Sequence, residues 1–143
     1  VLISTKGRYA LRVMTDMAEH QLDGYVPLKE IAERQEISEK YLESIVKSLV
    51  KEGVLIGLRG KGGGYRLSKS PDQFTVGSIL RLTEGSLVPV ACLEKNATPC
   101  TRAASCRTLS MWSGLNKTIY DYLESYTIAD LMRADEPGND YVI

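Results

Sequence analysis

Apolar positions along this chain recur at three- and four-residue spacing in successive stretches, with capping and turn residues between them. The most informative stretch runs from Leu28 to Leu67. Leu28, Ile31 and Ala32 share one helical face, and Tyr41, Leu42, Ile45, Val46 and Leu49 share another. Between them Gln35-Glu36-Ile37 reads as a short polar turn with one apolar plug. Ser38 stands at the N-cap position, where a hydroxyl accepts a backbone N–H of the following helix. Two helices joined by a tight turn make a helix-turn-helix. Gly53 is expected to end the second helix, with Val54-Leu55-Ile56 a short strand and Gly64-Tyr65-Arg66-Leu67 a second. Between the strands, Leu58-Arg59-Gly60-Lys61-Gly62-Gly63 reads as a hairpin tip, because glycine adopts the positive φ angles a tight reversal needs. Arg59 and Lys61 give that tip positive charge. A helix-turn-helix followed by a basic β-hairpin is a winged helix. A plain packed helix pair, the bland alternative, does not account for the hairpin.

The flanks follow the same logic. A first helix is predicted from Thr5, with Tyr9, Val13, Met14, Met17, Ala18 and Leu22 as its apolar face and Lys6, Arg8 and Arg12 as a positive edge. Arg12 is read as solvated. Asp23-Gly24 ends the helix, and Pro27 keeps Val26 extended. Beyond the wing, Ser70-Pro71-Asp72 is a turn. Thr75 caps a helix through Val76, Ile79, Leu80 and Leu82, which Gly85 closes. From Ser86 to Ser105 the period is lost, and a loop this long in a small domain is usually functional or disordered.

Periodicity returns at Leu109. Trp112, Leu115, Ile119, Tyr122, Leu123 and Tyr126 make a long amphipathic helix. A domain this small has little use for so large an extra apolar face. Trp112, Leu115, Ile119 and Leu123 are therefore expected at a homodimer interface, the alternative being that the helix packs on its own domain. Thr127 caps a short helix from Ile128 to Met132. The polar tail from Ala134, with its Pro-Gly turn, is expected to fray. The predicted fold is mainly α with a small β-hairpin wing: a winged helix-turn-helix plus a long C-terminal dimerisation helix. Its divisions are a DNA-binding domain (1–85), a cysteine-bearing sensor loop (86–108), the dimerisation helix with a short following helix (109–133), and the tail (134–143).

Composition narrows the function. At 143 residues, 43% hydrophobic and 25% charged, the chain has ordinary globular content. No apolar run approaches the roughly 18–20 residues of a membrane span. Val1-Leu2-Ile3-Ser4 lacks the long apolar stretch of a signal peptide. The expectation is a cytoplasmic protein with no membrane partner. Net charge is zero but uneven. Residues 1–70 hold 12 Lys and Arg against 9 Asp and Glu, and residues 71–143 hold 6 against 9. The first half is the better polyanion partner. Catalysis finds no support: histidine is single, no Ser/His/Asp grouping appears, and Gly60 to Gly64 lacks the G-K-[ST] ending of a phosphate-binding loop.

The three cysteines, Cys92, Cys100 and Cys106, lie in the aperiodic stretch. An odd number in a reducing compartment argues against a disulfide framework. Gaps of seven and five residues suit a zinc knuckle poorly. Iron–sulfur clusters take thiolates from irregular loops. Spacing alone leaves cluster, redox thiols and bystanders open.

Several motifs in fixed order carry a resemblance. Thr5-Lys6-Gly7-Arg8-Tyr9-Ala10, Pro27-Leu28 with Ile31-Ala32, Ile37-Ser38 with Tyr41-Leu42-Glu43, Arg59-Gly60 with Gly62-Gly63-Gly64-Tyr65, and Val76-Gly77 resemble the Rrf2 family of bacterial transcription regulators over nearly the whole chain. The resemblance implies a homodimer with winged-helix heads, and a three-cysteine loop holding an iron–sulfur cluster, [2Fe-2S] or [4Fe-4S], on Cys92, Cys100 and Cys106. It implies sensing of iron–sulfur status, redox or nitric oxide. Clusterless members of the family supply the alternative, a response to a partner protein, a small molecule or thiol oxidation. The chain departs from the cluster-binding branch in two places. That branch has gaps of five and five and a histidine three residues after its third cysteine, where this chain has Leu109. The aspartate that another branch uses near its N-terminus is matched here by Arg8. The fourth ligand is left open among a partner carboxylate, a serine and solvent, with His20, on the first helix, a weak candidate.

On double-stranded DNA, phosphate contacts position and base contacts specify. Ser38, Lys40, Tyr41, Glu43 and Ser44 lie on the N-terminal part of the second helix of the motif, where the major groove is read. A glutamate such as Glu43 accepts from a cytosine amino group, and the resemblance implies that a glutamate here helps choose between operator classes. Tyr41 has a core alternative. Arg59, with Gly60 and Lys61, is expected at a minor groove, and Thr5, Lys6 and Arg8 at phosphates. A two-fold dimer implies a pseudo-palindromic operator.

Overall fold

The computed structural model describes residues 2–132. The expected fraying of the tail lies outside them. Helix α1 spans Thr5–His20, capped by Ser4, whose Oγ accepts from Gly7 N at 3.0 Å. Its face of Ala10, Val13, Met14 and Met17 is fully buried. Leu22 was expected to extend that face, but it lies in a 3-10 turn over Gln21–Asp23 and is 92% exposed. The turn breaks the α-helical phase, so the residue that would have followed Ala18 at a four-residue step points into solvent.

Helix α2 (Leu28–Gln35) ends at Glu36, which takes the left-handed conformation at φ 55° and donates its N–H back to Ala32 and Glu33. Ile37 then turns inward and is buried, as the plug of the turn. Helix α3 (Glu39–Lys51) starts from Ser38, whose Oγ accepts from Tyr41 N at 3.2 Å. Leu42, Ile45, Val46 and Leu49 bury its inner face. Tyr41, counted with that face by periodicity, sits at its margin, 36% exposed, with its ring edge-on to Tyr9.

The hairpin pairs β1 (Leu55–Leu58) with β2 (Gly64–Leu67), antiparallel, with Leu58 opposite Gly64. The first strand therefore runs two residues past the expected Ile56 and takes Leu58 from the tip. Val26 forms an isolated antiparallel bridge to the hairpin, exchanging both backbone hydrogen bonds with Tyr65 at 2.8 and 2.9 Å. Gly64 makes this possible. It sits at φ 148°, and a Cβ there would lie 2.3 Å from Val26 O.

Helix α4 (Val76–Glu84) is capped by Thr75, whose Oγ1 accepts from Ser78 N at 3.0 Å. Val76, Ile79 and Leu80 are buried, but Leu82, expected with them, is 41% exposed. The helix is covered on one side only. Residues 86–108 hold a single 3-10 turn at Ala91–Leu93. Helix α5 (Leu109–Glu124) follows, then α6 (Ile128–Leu131), closed by a capping box between Thr127 and Asp130. Ile128 is fully buried in the same core as α1 and α3. No helix among the described residues is long and apolar enough to cross a membrane.

Candidate nucleic-acid interface and cysteine loop

The recognition surface is built by exclusion. Helix α3 buries one side in the core, which leaves Lys40, Glu43 and Ser44 exposed on the other, with Tyr41 at the border. Ser44 Oγ donates to Tyr41 O at 2.7 Å, and Glu43 pairs with Lys47 one turn on at 3.0 Å. Ser38 is held by its capping bond at the helix start. Beyond β1 the tip carries Arg59, Gly60 and Lys61, all exposed, closed by Gly63 N donating to Gly60 O at 2.9 Å. At the start of α1, Thr5 and Arg8 are exposed, while Lys6 Nζ reaches across to Ser48 Oγ of α3 at 3.2 Å.

What sets α2 and α3 against α1 is a polar knot that periodicity passed over. Asp16 is the one buried charged residue among those described, 2% exposed within the apolar face of α1. Its carboxylate accepts from Arg34 Nε at 2.9 Å, Arg34 Nη2 at 2.7 Å and Gln35 Nε2 at 2.8 Å. The Asp16 hydrogen bond, the largest influence, raises the Arg34 pKa above its ordinary value. Arg12 is not simply solvated: its Nε donates to Gln35 Oε1 at 3.1 Å, its Nη2 donates to Gln35 O, and its guanidinium lies over the Tyr9 ring. Gln35 is the last residue of α2, so four side chains of α1 and α2, Arg12, Asp16, Arg34 and Gln35, fix the turn that leads into α3. The available signal was a carboxylate inside an apolar stripe, since a buried charge needs a partner. His20, the weak ligand candidate, is tied to the same carboxylate's residue, its Nδ1 2.8 Å from Asp16 O.

The three thiols are all exposed. Cys100 Sγ accepts from Arg102 N at 3.4 Å, and Cys106 Sγ lies 3.5 Å from Thr108 Oγ1. The Thr108 hydroxyl, then the backbone N–H groups of Thr108 and Leu109, hold the Cys106 thiol below its ordinary pKa by favouring the thiolate. Among the described residues no three His, Cys, Asp or Glu side chains stand close enough together to hold a metal ion. In donor chemistry the loop suits a soft metal centre: three accessible sulfurs, one of them already biased towards thiolate.

Helix α5 buries no residue. Trp112 and Ile119 are half-buried, Leu115 and Tyr122 are exposed, and Leu123 packs against the buried cluster of Val76, Leu80 and Leu87. Its C-terminal end is firmly joined to the head. Glu124 Oε2 accepts from Arg81 Nη2 at 2.7 Å and from Thr75 Oγ1 at 3.1 Å.

Comparisons with known proteins agree with this fold. Residues 3–134 match the Rrf2 family, described as iron-dependent transcriptional regulators. The HTH-type transcriptional regulator IscR of Erwinia tasmaniensis is 38% identical over 134 residues, 94% of this chain and 80% of that one. Among solved structures, IscR of T. potens has a TM-score of 0.71 at 37% identity, covering 92% of this chain and 85% of its own. CymR, the global cysteine regulator of B. subtilis, has a TM-score of 0.74 at 36% identity, covering 92% and 95%. The winged-helix head, the basic hairpin and the family match converge: the chain belongs to the Rrf2 family and is a DNA-binding transcriptional regulator of the IscR type, not an enzyme.

Proposed function

We propose that the protein acts as a homodimer that reads a pseudo-palindromic operator and senses iron–sulfur status, redox or nitric oxide through its cysteine loop. The observation that carries the sensing role is the set of three accessible thiols confined to one loop between head and α5. Cys92, Cys100 and Cys106 would hold an iron–sulfur cluster, which when bound supplies a centre that can be gained, lost or oxidised. The rest of the reading concerns the chain's own side chains. Two copies pair along α5 through Trp112, Leu115, Ile119 and Leu123; Leu123 also packs on its own head, and the other three lie on a face that the monomer leaves partly open. Each head sets Ser38, Lys40, Tyr41, Glu43 and Ser44 into a major groove. Arg59, Gly60 and Lys61 reach a minor groove, and Thr5, Lys6 and Arg8 meet phosphates. Two-fold pairing then spaces the half-sites by whole helical turns, roughly 34 Å each. The division into head (1–85), sensor loop (86–108) and dimer segment (109–133) belongs to the same reading.

A clusterless thiol sensor is the second reading. Two observations favour it: the thiols are not gathered in this structure, and the likeness extends to a regulator named for cysteine. Anaerobic purification followed by iron, sulfide and visible-absorbance analysis separates the two. The cluster reading expects stoichiometric iron and sulfide, lost in a triple Cys→Ser variant, and a footprint that changes between the two forms. Protein with neither iron nor sulfide, whose footprint instead changes on thiol oxidation, would establish the second reading in its place.

A further inference from the structure

Glu84 is the last residue of α4, and Gly85 after it opens the cysteine-bearing segment. Its carboxylate does not face solvent alone. Oε1 accepts from Ser4 N at 2.6 Å and from Ser4 Oγ at 2.8 Å, and the same Ser4 Oγ accepts from Gly7 N to cap α1. A carboxylate at a helix start is also favoured by the positive end of the helix dipole. The approach is close: a Cβ on Gly7 would lie 2.6 Å from Glu84 Oε1, 3.1 Å from Thr83 Oγ1 and 3.2 Å from a Leu80 methyl, so a larger residue there would push the carboxylate aside. This gives a packing reason for the glycine in the Thr5-Lys6-Gly7-Arg8 motif. The residues that follow the capped Ser4 are Thr5, Lys6 and Arg8, and Lys6 in turn reaches Ser48 on α3.

We propose that Glu84 is a positioning residue for DNA binding: it fixes the first turn of α1, and through that turn the phosphate-binding edge of the head. The proposal rests on the reading of Thr5, Lys6 and Arg8 as phosphate ligands. Its sign separates it from simple electrostatics. An acidic side chain beside a DNA-binding edge repels phosphate, so removing it should tighten binding if charge were its only role. Positioning demands the reverse, because an uncapped, shifted first turn takes its cations out of register with the backbone.

The test compares wild type, Glu84→Ala and Glu84→Gln on two duplexes, one selected by the wild-type protein from a random-sequence library and one scrambled. Glu84→Ala is expected to bind both about tenfold more weakly, the scale set by losing charge-assisted hydrogen bonds. Its salt slope should fall by about one for each phosphate that the shifted cations no longer reach. Glu84→Gln keeps an oxygen that accepts from Ser4 N and should recover most of the affinity. If the alanine variant fails to fold, Glu84→Gln decides alone: binding weaker than wild type supports positioning, and equal or tighter binding, as loss of a repelling charge would give, overturns it. Equal or tighter binding by both variants, with the wild-type salt slope, overturns the proposal. Absence of duplex binding by the wild-type protein would instead overturn the reading on which it rests.

Discussion

Replacing Arg34 with Met tests whether the knot beneath the helix-turn-helix fixes that motif. The substitution keeps much of the aliphatic stem but removes two of the three side-chain donors to Asp16, leaving only Gln35 Nε2. Breaking a buried ion pair from one side costs about 3–5 kcal/mol, because the other charge stays buried without compensation. The Asp16 side chain is 1% exposed and that of Arg34 is 31% exposed. Water can therefore enter from the Arg34 side, which sets the expectation near the lower edge, about 3 kcal/mol. For a chain of this size that corresponds to a melting temperature lowered by about 10 °C. Urea unfolding followed by circular dichroism, at fixed protein concentration, measures it. The decisive comparison is the cycle with Asp16→Asn. Once the carboxylate is neutral, Arg34→Met should cost less than about 1 kcal/mol, giving a coupling of about 2 kcal/mol. A single-variant cost below about 1 kcal/mol, or additive effects in the double variant, would refute the assignment of Asp16 and Arg34 as the fixing pair.

Gly64→Ala places a methyl against Val26 O, so the bridge to Tyr65 should open, at a cost of about 1–3 kcal/mol. Amide exchange at Tyr65 should accelerate and DNA affinity should fall; unchanged exchange contradicts the wing geometry. Thr108→Val removes the hydroxyl that lowers the Cys106 pKa. Because the thiolate is the reactive form, the pH profile of Cys106 alkylation, followed by peptide mass spectrometry, should move to higher pH and the rate at pH 7 should drop. An identical profile would assign the lowering to the backbone donors alone. Leu115→Glu puts a charge on the open face of α5 and should shift sedimentation from dimer to monomer while leaving the circular dichroism of the head unchanged. A variant that stays dimeric removes Leu115 from the interface.

The capped helices and the wing were legible because their causes are local. Ser38 and Thr75 accept the backbone N–H groups expected of caps, and the glycines between Arg59 and Tyr65 form the hairpin end. Errors arose where a local pattern depends on what lies opposite. Leu22 and Leu82 have the right spacing, but a 3-10 turn takes one out of phase and nothing covers the other. The bonds of Arg12, which is exposed as expected, and of Asp16 and Glu84, which carried no expectation, were not legible because their partners lie 18 to 80 residues away in sequence. The cysteine gaps named a loop and a donor type. Convergence of the three sulfurs depends on a fold that spacing does not encode.

Under the proposed sensing role, the route from the cysteine loop to DNA follows from an asymmetry in how α5 is attached. At its C-terminal end the helix is bound to the head. Glu124 bridges Arg81 and Thr75, Val76 N donates to Tyr126 O at 2.8 Å, Ile128 N donates to Phe74 O at 2.9 Å, and Ile128 is buried in the same core as the recognition helix. At its N-terminal end it continues from a segment whose thiols are all exposed, and none of its own residues is buried. Local opening is cheapest where packing is sparse, so rearrangement concentrates in the loop and the N-terminal half of α5. A head fastened to the other end follows the helix as a rigid body. In the proposed two-fold pair such a movement would change the separation and tilt of two intact heads, so that the loop state would be read as half-site spacing without any refolding of the winged helix.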